Sequence, residues 1–134
     1  MDEATAGGRR DVTRLGLTLF GVYSLALGAW MALAPGSFFD RVGPFGERND
    51  HYTRDNSTWS LAVGAALLIA ARRPSWRVPI LFVVVAQALL HLVNHLIDIG
   101  DADPGWLGPF DAISIAVLGL LAAVLLRRAP DEAR

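Results

Sequence analysis

The chain has 134 residues, 53% of them hydrophobic and 19% charged, with a mean hydropathy of +0.39, a formal net charge of −1 and no cysteine. That size fits one domain. The missing cysteines exclude a disulfide scaffold, thiolate metal sites and cysteine nucleophiles, and the near-neutral charge argues against nucleic acid as a partner.

The apolar residues gather into four runs. The first, residues 15–34, holds twenty residues without a charge. At ~1.5 Å rise per residue that is about 30 Å of helix, the depth of a bilayer's hydrocarbon core. Its length, and the runs behind it, argue against a cleaved signal peptide. The second run, residues 57–71, has only fifteen residues, so a spanning helix there must begin earlier, near residues 50–54. The third, residues 78–99, is apolar except for Gln87, His91, Asn94, His95 and Asp98, and the fourth, residues 107–126, is interrupted only by Asp111.

These runs predict an all-α fold, an antiparallel four-helix transmembrane bundle forming a single domain over residues 1–134. The helices are expected at about 13–34, 51–71, 77–99 and 107–127. The first dozen and last seven residues read as polar tails. Residues 36–48 contain Phe38, Phe39 and the turn cluster Gly43-Pro44-Phe45-Gly46. They read as an amphipathic segment in the outer interface followed by a turn. Asn49 or Asp50 is the expected N-cap of the second helix.

Arginine placement predicts orientation. All twelve basic residues are arginines. Arg9, Arg10 and Arg14 precede the first helix, Arg72, Arg73 and Arg77 fill the link between the second and third, and Arg127, Arg128 and Arg134 follow the fourth. The positive-inside rule then puts both termini in the cytoplasm of a multi-pass inner-membrane protein. An arginine-only, Ala- and Leu-rich composition suggests a high-GC bacterium.

The third helix carries the most informative pattern. With 3.6 residues per turn and His91 taken as zero, His95 lies at about +40°, Asp98 at about −20°, Gln87 at about −40° and Asn94 at about −60°. Polar groups in a membrane segment normally face the bundle interior, so this face is expected to point inward. The four-span topology brings His51, Arg54 and Asp55 of the second helix and Asp111 of the fourth to the same outer end. The expected polar pocket is therefore His51, Arg54, Asp55, His91, Asn94, His95, Asp98 and Asp111.

Three functions fit such a cluster. The leading reading is a binding or accessory membrane protein. Its Arg54 and His51 would hold an anionic, lipid or quinone-like head group under Phe38, Phe39 and Phe45. A membrane-embedded metal-dependent or redox enzyme is the first alternative: His91 and His95 are spaced i, i+4, and with Asp98 they form a nitrogen/oxygen set suited to a divalent transition metal. Haem is disfavoured, because two histidines on one helix cannot ligate both faces of one ring system. The second alternative is a structural subunit whose polar network holds the bundle, a homo-oligomer or a membrane partner protein. A polar face left exposed to lipid in the monomer would demand such a partner. The glycines Gly16, Gly21 and Gly28, with Gly64, Ala65, Ala66 and Gly119, read as close-packing positions.

The first helix ends in Ala34-Pro35-Gly36-Ser37-Phe38-Phe39, and Arg72-Arg73 makes a double-arginine turn after the second. With four short spans, these features resemble the DoxX-like small bacterial membrane proteins. The resemblance implies a compact four-helix bundle and a supporting role around membrane redox or quinone chemistry. It assigns no catalytic residue here.

Overall fold

A computed structural model describes residues 3–132, with side chains described for residues 12–129. The chain is all-helical: α1 (Glu3–Leu33), α2 (Pro35–Arg41), α3 (Asp50–Arg72), a 3-10 turn (Pro74–Trp76), α4 (Arg77–Ile97) and α5 (Leu107–Glu132). No strand occurs among the described residues, apart from one isolated antiparallel bridge between Phe45 and Ala102. Residues 1, 2, 133 and 134 of the expected tails lie outside the described residues, as do the side chains of Arg9 and Arg10.

Local sequence explains where each helix stops. Pro35 opens α2 at its first turn, where a missing N–H costs nothing. Asn49 caps α3, its side-chain oxygen accepting from the Tyr52 N–H at 3.0 Å. Arg73 precedes Pro74 and is extended (φ −122°, ψ 99°), which ends α3. Asp98 closes α4 by donating its N–H to the Asn94 carbonyl at 3.0 Å. The helix expected from about residue 13 instead begins at Glu3, because nothing from Glu3 to Thr13 breaks a helix except the tolerated pair Gly7-Gly8.

Three helical segments are long and apolar enough to cross a membrane: Val12–Leu33, Pro74–Ile97 and Leu107–Ala129. Their outward faces are apolar as well, with Leu33, Leu90 and Ile97 each more than 70% exposed. The chain therefore has the character of a membrane protein. α3 has the length, at 23 residues, but its first two turns carry Asp50, His51, Arg54, Asp55 and Asn56. Those residues hold its hydropathy below that of the other three.

The closest approaches define how the helices run. Gly28 meets Leu61 and Gly21 meets Leu68, so α1 and α3 are antiparallel neighbours. Gly119 meets Ala88 and Gly108 meets the Ile99 carbonyl, so α4 and α5 are antiparallel too. The two pairs join through a core of Leu17, Leu67, Ala70, Ala71, Leu81, Leu125 and Ala129, all near the end that carries Arg72, Arg73 and Arg77. Gly16 lies against Leu125 in the same region, linking α1 to α5. Arg77 is buried here and donates from Nε to the Ala70 carbonyl at 3.3 Å. Ala65, by contrast, faces outward and takes no part in the α1–α3 seam.

At the other end the connections bind to each other. Besides the Phe45–Ala102 bridge, the Asp103 N–H donates to the Pro44 carbonyl at 3.3 Å. Gly46 supplies the positive φ (67°) that turns the first loop back. The segment expected to be amphipathic is in fact α2 plus this crossing loop. Pro35 and Gly36 are buried in it, and the Arg48 guanidinium lies over Gly36 where a side chain would stand.

Candidate functional site: a polar seam at the C-terminal end of α4 and the N-terminal end of α5

The site forms where α4 and α5 end under the crossing loops. His95 projects from the last turn of α4, and Phe45 lies edge-on to it with ring centroids 5.0 Å apart. The His91 ring, one turn earlier, also meets His95 edge-on at 4.7 Å. Asp111, in the second turn of α5, is 9% exposed. Its carboxylate is near enough to interact electrostatically with His95 and with Tyr23 of α1.

Two atoms of this seam are unsatisfied. His95 Nδ1 and Asp111 Oδ2 are both buried, and neither has a hydrogen-bond partner. A buried polar atom without a partner costs about 1–3 kcal/mol in a protein interior, so the pair is a place where another hydrogen-bonding group is expected.

The other expected site residues lie elsewhere. His51 and Asp55 pair with each other, Nε2 to Oδ2 at 3.4 Å, on the exposed first turns of α3. Their side chains are 87% and 66% exposed, which makes this an ordinary i, i+4 surface pair. Arg54 and Asp98 are exposed as well. Among the described residues, no hydrogen bond, ion pair or ring contact joins any of these four to His91, His95 or Asp111. The arginine ion pair of this end, among the described residues, involves Arg48 and not Arg54. Arg48 donates from Nε and Nη2 to the two carboxylate oxygens of Asp50, at 2.6 and 3.0 Å. That bidentate bond holds the Asp50 carboxyl below its ordinary range.

The polar face of α4 is also turned differently from the inward orientation expected for it. Leu81 and Ala88 occupy the buried side, the latter against Gly119 of α5, and only His95 follows them inward. Gln87, His91 and Asn94 border an outward groove of about 410 Å³ between α3 and α4. Trp59, Phe82, Val83, Ala86 and Leu90 complete its walls. The tight contact of α4 with α5 sets this rotation, because two helices can approach closely only where their small residues meet.

Among the described residues, the expected metal ligands do not come together. Asp98, the expected third ligand beside His91 and His95, is the exposed C-cap of α4. Among the described residues, no three His, Asp or Glu side chains group closely enough to hold a metal ion. Phe38 lies over Trp30 instead of over the site, with centroids 5.6 Å apart. Sequence reasoning missed Tyr23. Its signal was a phenol inside an otherwise apolar run, but nothing in the run says which neighbour it meets.

No protein-family model, no curated protein and no solved structure gives a match to this chain.

Proposed function

We propose that this chain is a small integral membrane protein of binding type. In this reading α1, α3, α4 and α5 cross an inner membrane as an antiparallel four-helix bundle, with both termini cytoplasmic. The arginines at residues 72, 73, 77, 127 and 128 then sit on the inner side. Its ligand is an amphipathic molecule whose head contacts the His95–Asp111 region beneath Phe45.

The unpartnered His95 Nδ1 and Asp111 Oδ2 carry this reading. Asp111 Oδ2 accepts a hydrogen bond when ionised, whereas Nδ1 donates or accepts according to tautomer. A hydroxyl group suits either atom, donating to the carboxylate or accepting from the imidazole. A hydroxyl-headed lipid or a quinol-like ring therefore fits the seam. The anionic head group favoured by Arg54 and His51 does not, since those two side chains are exposed and away from it.

The test compares bound small molecules with stability. Native mass spectrometry on the protein in mild detergent is expected to show a bound molecule, and Asp111→Leu is expected to lose it. Compared with parent protein stripped of the bound molecule, the variant's melting temperature should hold or rise, because an apolar group of similar size removes an unsatisfied buried acceptor. A fall in melting temperature below that of the stripped parent, with the bound molecule retained by the variant, would make Asp111 part of a structural network and refute the binding role.

A further inference from the structure

The outward face of α4 carries amides where a lone membrane helix would meet hydrocarbon. Gln87 stands ten residues from either end of α4, about 15 Å from each at ~1.5 Å per residue, which is the middle of a bilayer. Neither Gln87 nor Asn94 has a side-chain hydrogen bond within the chain, among the described residues. An amide left facing lipid without partners is costly.

The spacing of this face is that of a helix–helix seam. Val83, Gln87, Leu90, Asn94 and Ile97 follow at steps of four, three, four and three residues, the a/d rhythm of two helices packed along their length. Every one is exposed or half-exposed, with Leu90 at 71% and Ile97 at 73%. α3 reaches the groove only with Trp59 among its lining residues, so most of this α4 face is open to the outside of the bundle. The lining holds no arginine, aspartate or glutamate.

We infer that this face seats the same face of a second copy of the chain, an inference that rests on the membrane-spanning reading but not on the ligand seam. Copies inserted with their arginine-rich ends on one side have parallel α4 helices. A two-fold axis normal to the membrane then sets each seam residue against its counterpart. An amide suits that position because it is both donor and acceptor: each Gln87 donates N–H to the other's carbonyl and accepts in return, and Asn94 does the same. A charged side chain there would repel its own copy; the lining has no arginine, aspartate or glutamate, and its single titratable group is His91, off the seam's a/d positions. Amides at such positions also fix register and the number of helices.

The test uses purified full-length protein reconstituted in phosphatidylcholine vesicles at high lipid-to-protein ratio. The chain has no cysteine, so one introduced thiol is the only one present. Leu90→Cys, on the seam, is expected to form a disulfide dimer under mild oxidation. Leu89→Cys, 60% exposed but about 100° away around the helix, is expected to cross-link at least about tenfold less. Adding Gln87→Leu and Asn94→Leu should weaken dimerisation by roughly tenfold or more while the helical circular dichroism and melting temperature hold. Monomers in single-molecule photobleaching of the parent, equal cross-linking at positions 89 and 90, or a dimer indifferent to the double substitution would each overturn it. Alkaline extraction of the same vesicles separates the two failures: release of the chain refutes the membrane reading, and retention of a monomer refutes only the dimer.

Discussion

Gly64→Ala tests the α1–α3 seam at its tightest point. A methyl there would stand 2.8 Å from Leu25 Cγ and 2.9 Å from both the Leu25 nitrogen and the Gly21 carbonyl oxygen. Two of those three atoms are backbone, so no side-chain rotation relieves the crowding. Reaching an ordinary contact of at least 3.4 Å requires α1 and α3 to part by about half an ångström. A gap of ~0.5–1 Å forfeits a quarter to a half of each dispersion contact it touches. Overpacking of this kind costs about 1–3 kcal/mol. The better helix propensity of alanine returns up to about 1 kcal/mol, and less if helices persist in the unfolded membrane state. The net expectation is a loss of about 1–2 kcal/mol, read from reversible unfolding in mixed micelles by tryptophan fluorescence. Gly100→Ala is the control: nothing lies within 4 Å of its methyl and its φ is not positive, so it should stay within about 0.5 kcal/mol of the parent. If Gly64→Ala is as stable as Gly100→Ala, the close backbone crossing is not a stabilising contact and the reasoning fails.

Three further outcomes follow from the same geometry. Gly108→Ala would drive a methyl onto the Ile99 carbonyl; it should cost about 1–3 kcal/mol and speed amide exchange at the C-terminal end of α4 and the N-terminal end of α5, and unchanged exchange would contradict the contact. Asn49→Ala removes the α3 cap and should cost about 1 kcal/mol, which a melt parallel to the parent's would disprove. The folded Asp50 carboxyl lies below its ordinary value because of Arg48, so the pair's stabilisation is present above the unfolded pKa and is lost as pH falls through the folded one. Arg48→Ala should bring the Asp50 carboxyl resonance back to an ordinary carboxylate midpoint, and an unmoved titration curve would assign the depression to something else.

Much of the molecule can be read from residue order. Charge-free runs mark where α1, α4 and α5 are apolar, since burying a charge in hydrocarbon is prohibitive. Asn49 announces the start of α3 and Pro74 its end, because capping and proline geometry are local. The shared face of Gln87, His91, Asn94 and His95 follows from helical period alone. What period cannot supply is the direction in which that face points. The contact of Gly119 with Ala88 accompanies a buried His95 Nδ1 and leaves Gln87, His91 and Asn94 in the outward groove.

The composition of each stretch, a local property, thus determined an all-helical chain of membrane character and placed its polar residues on particular helices. Tertiary packing decided which of them meet. It separated His51, Arg54, Asp55 and Asp98 from the seam, brought Phe45 over His95 from a distant loop, and placed Tyr23 in the electrostatic field of Asp111. A rotation of a few tens of degrees about a helix axis moves a side chain from core to lipid without changing any local preference. Only close contacts between helices, made by small residues far apart in the chain, can select that rotation.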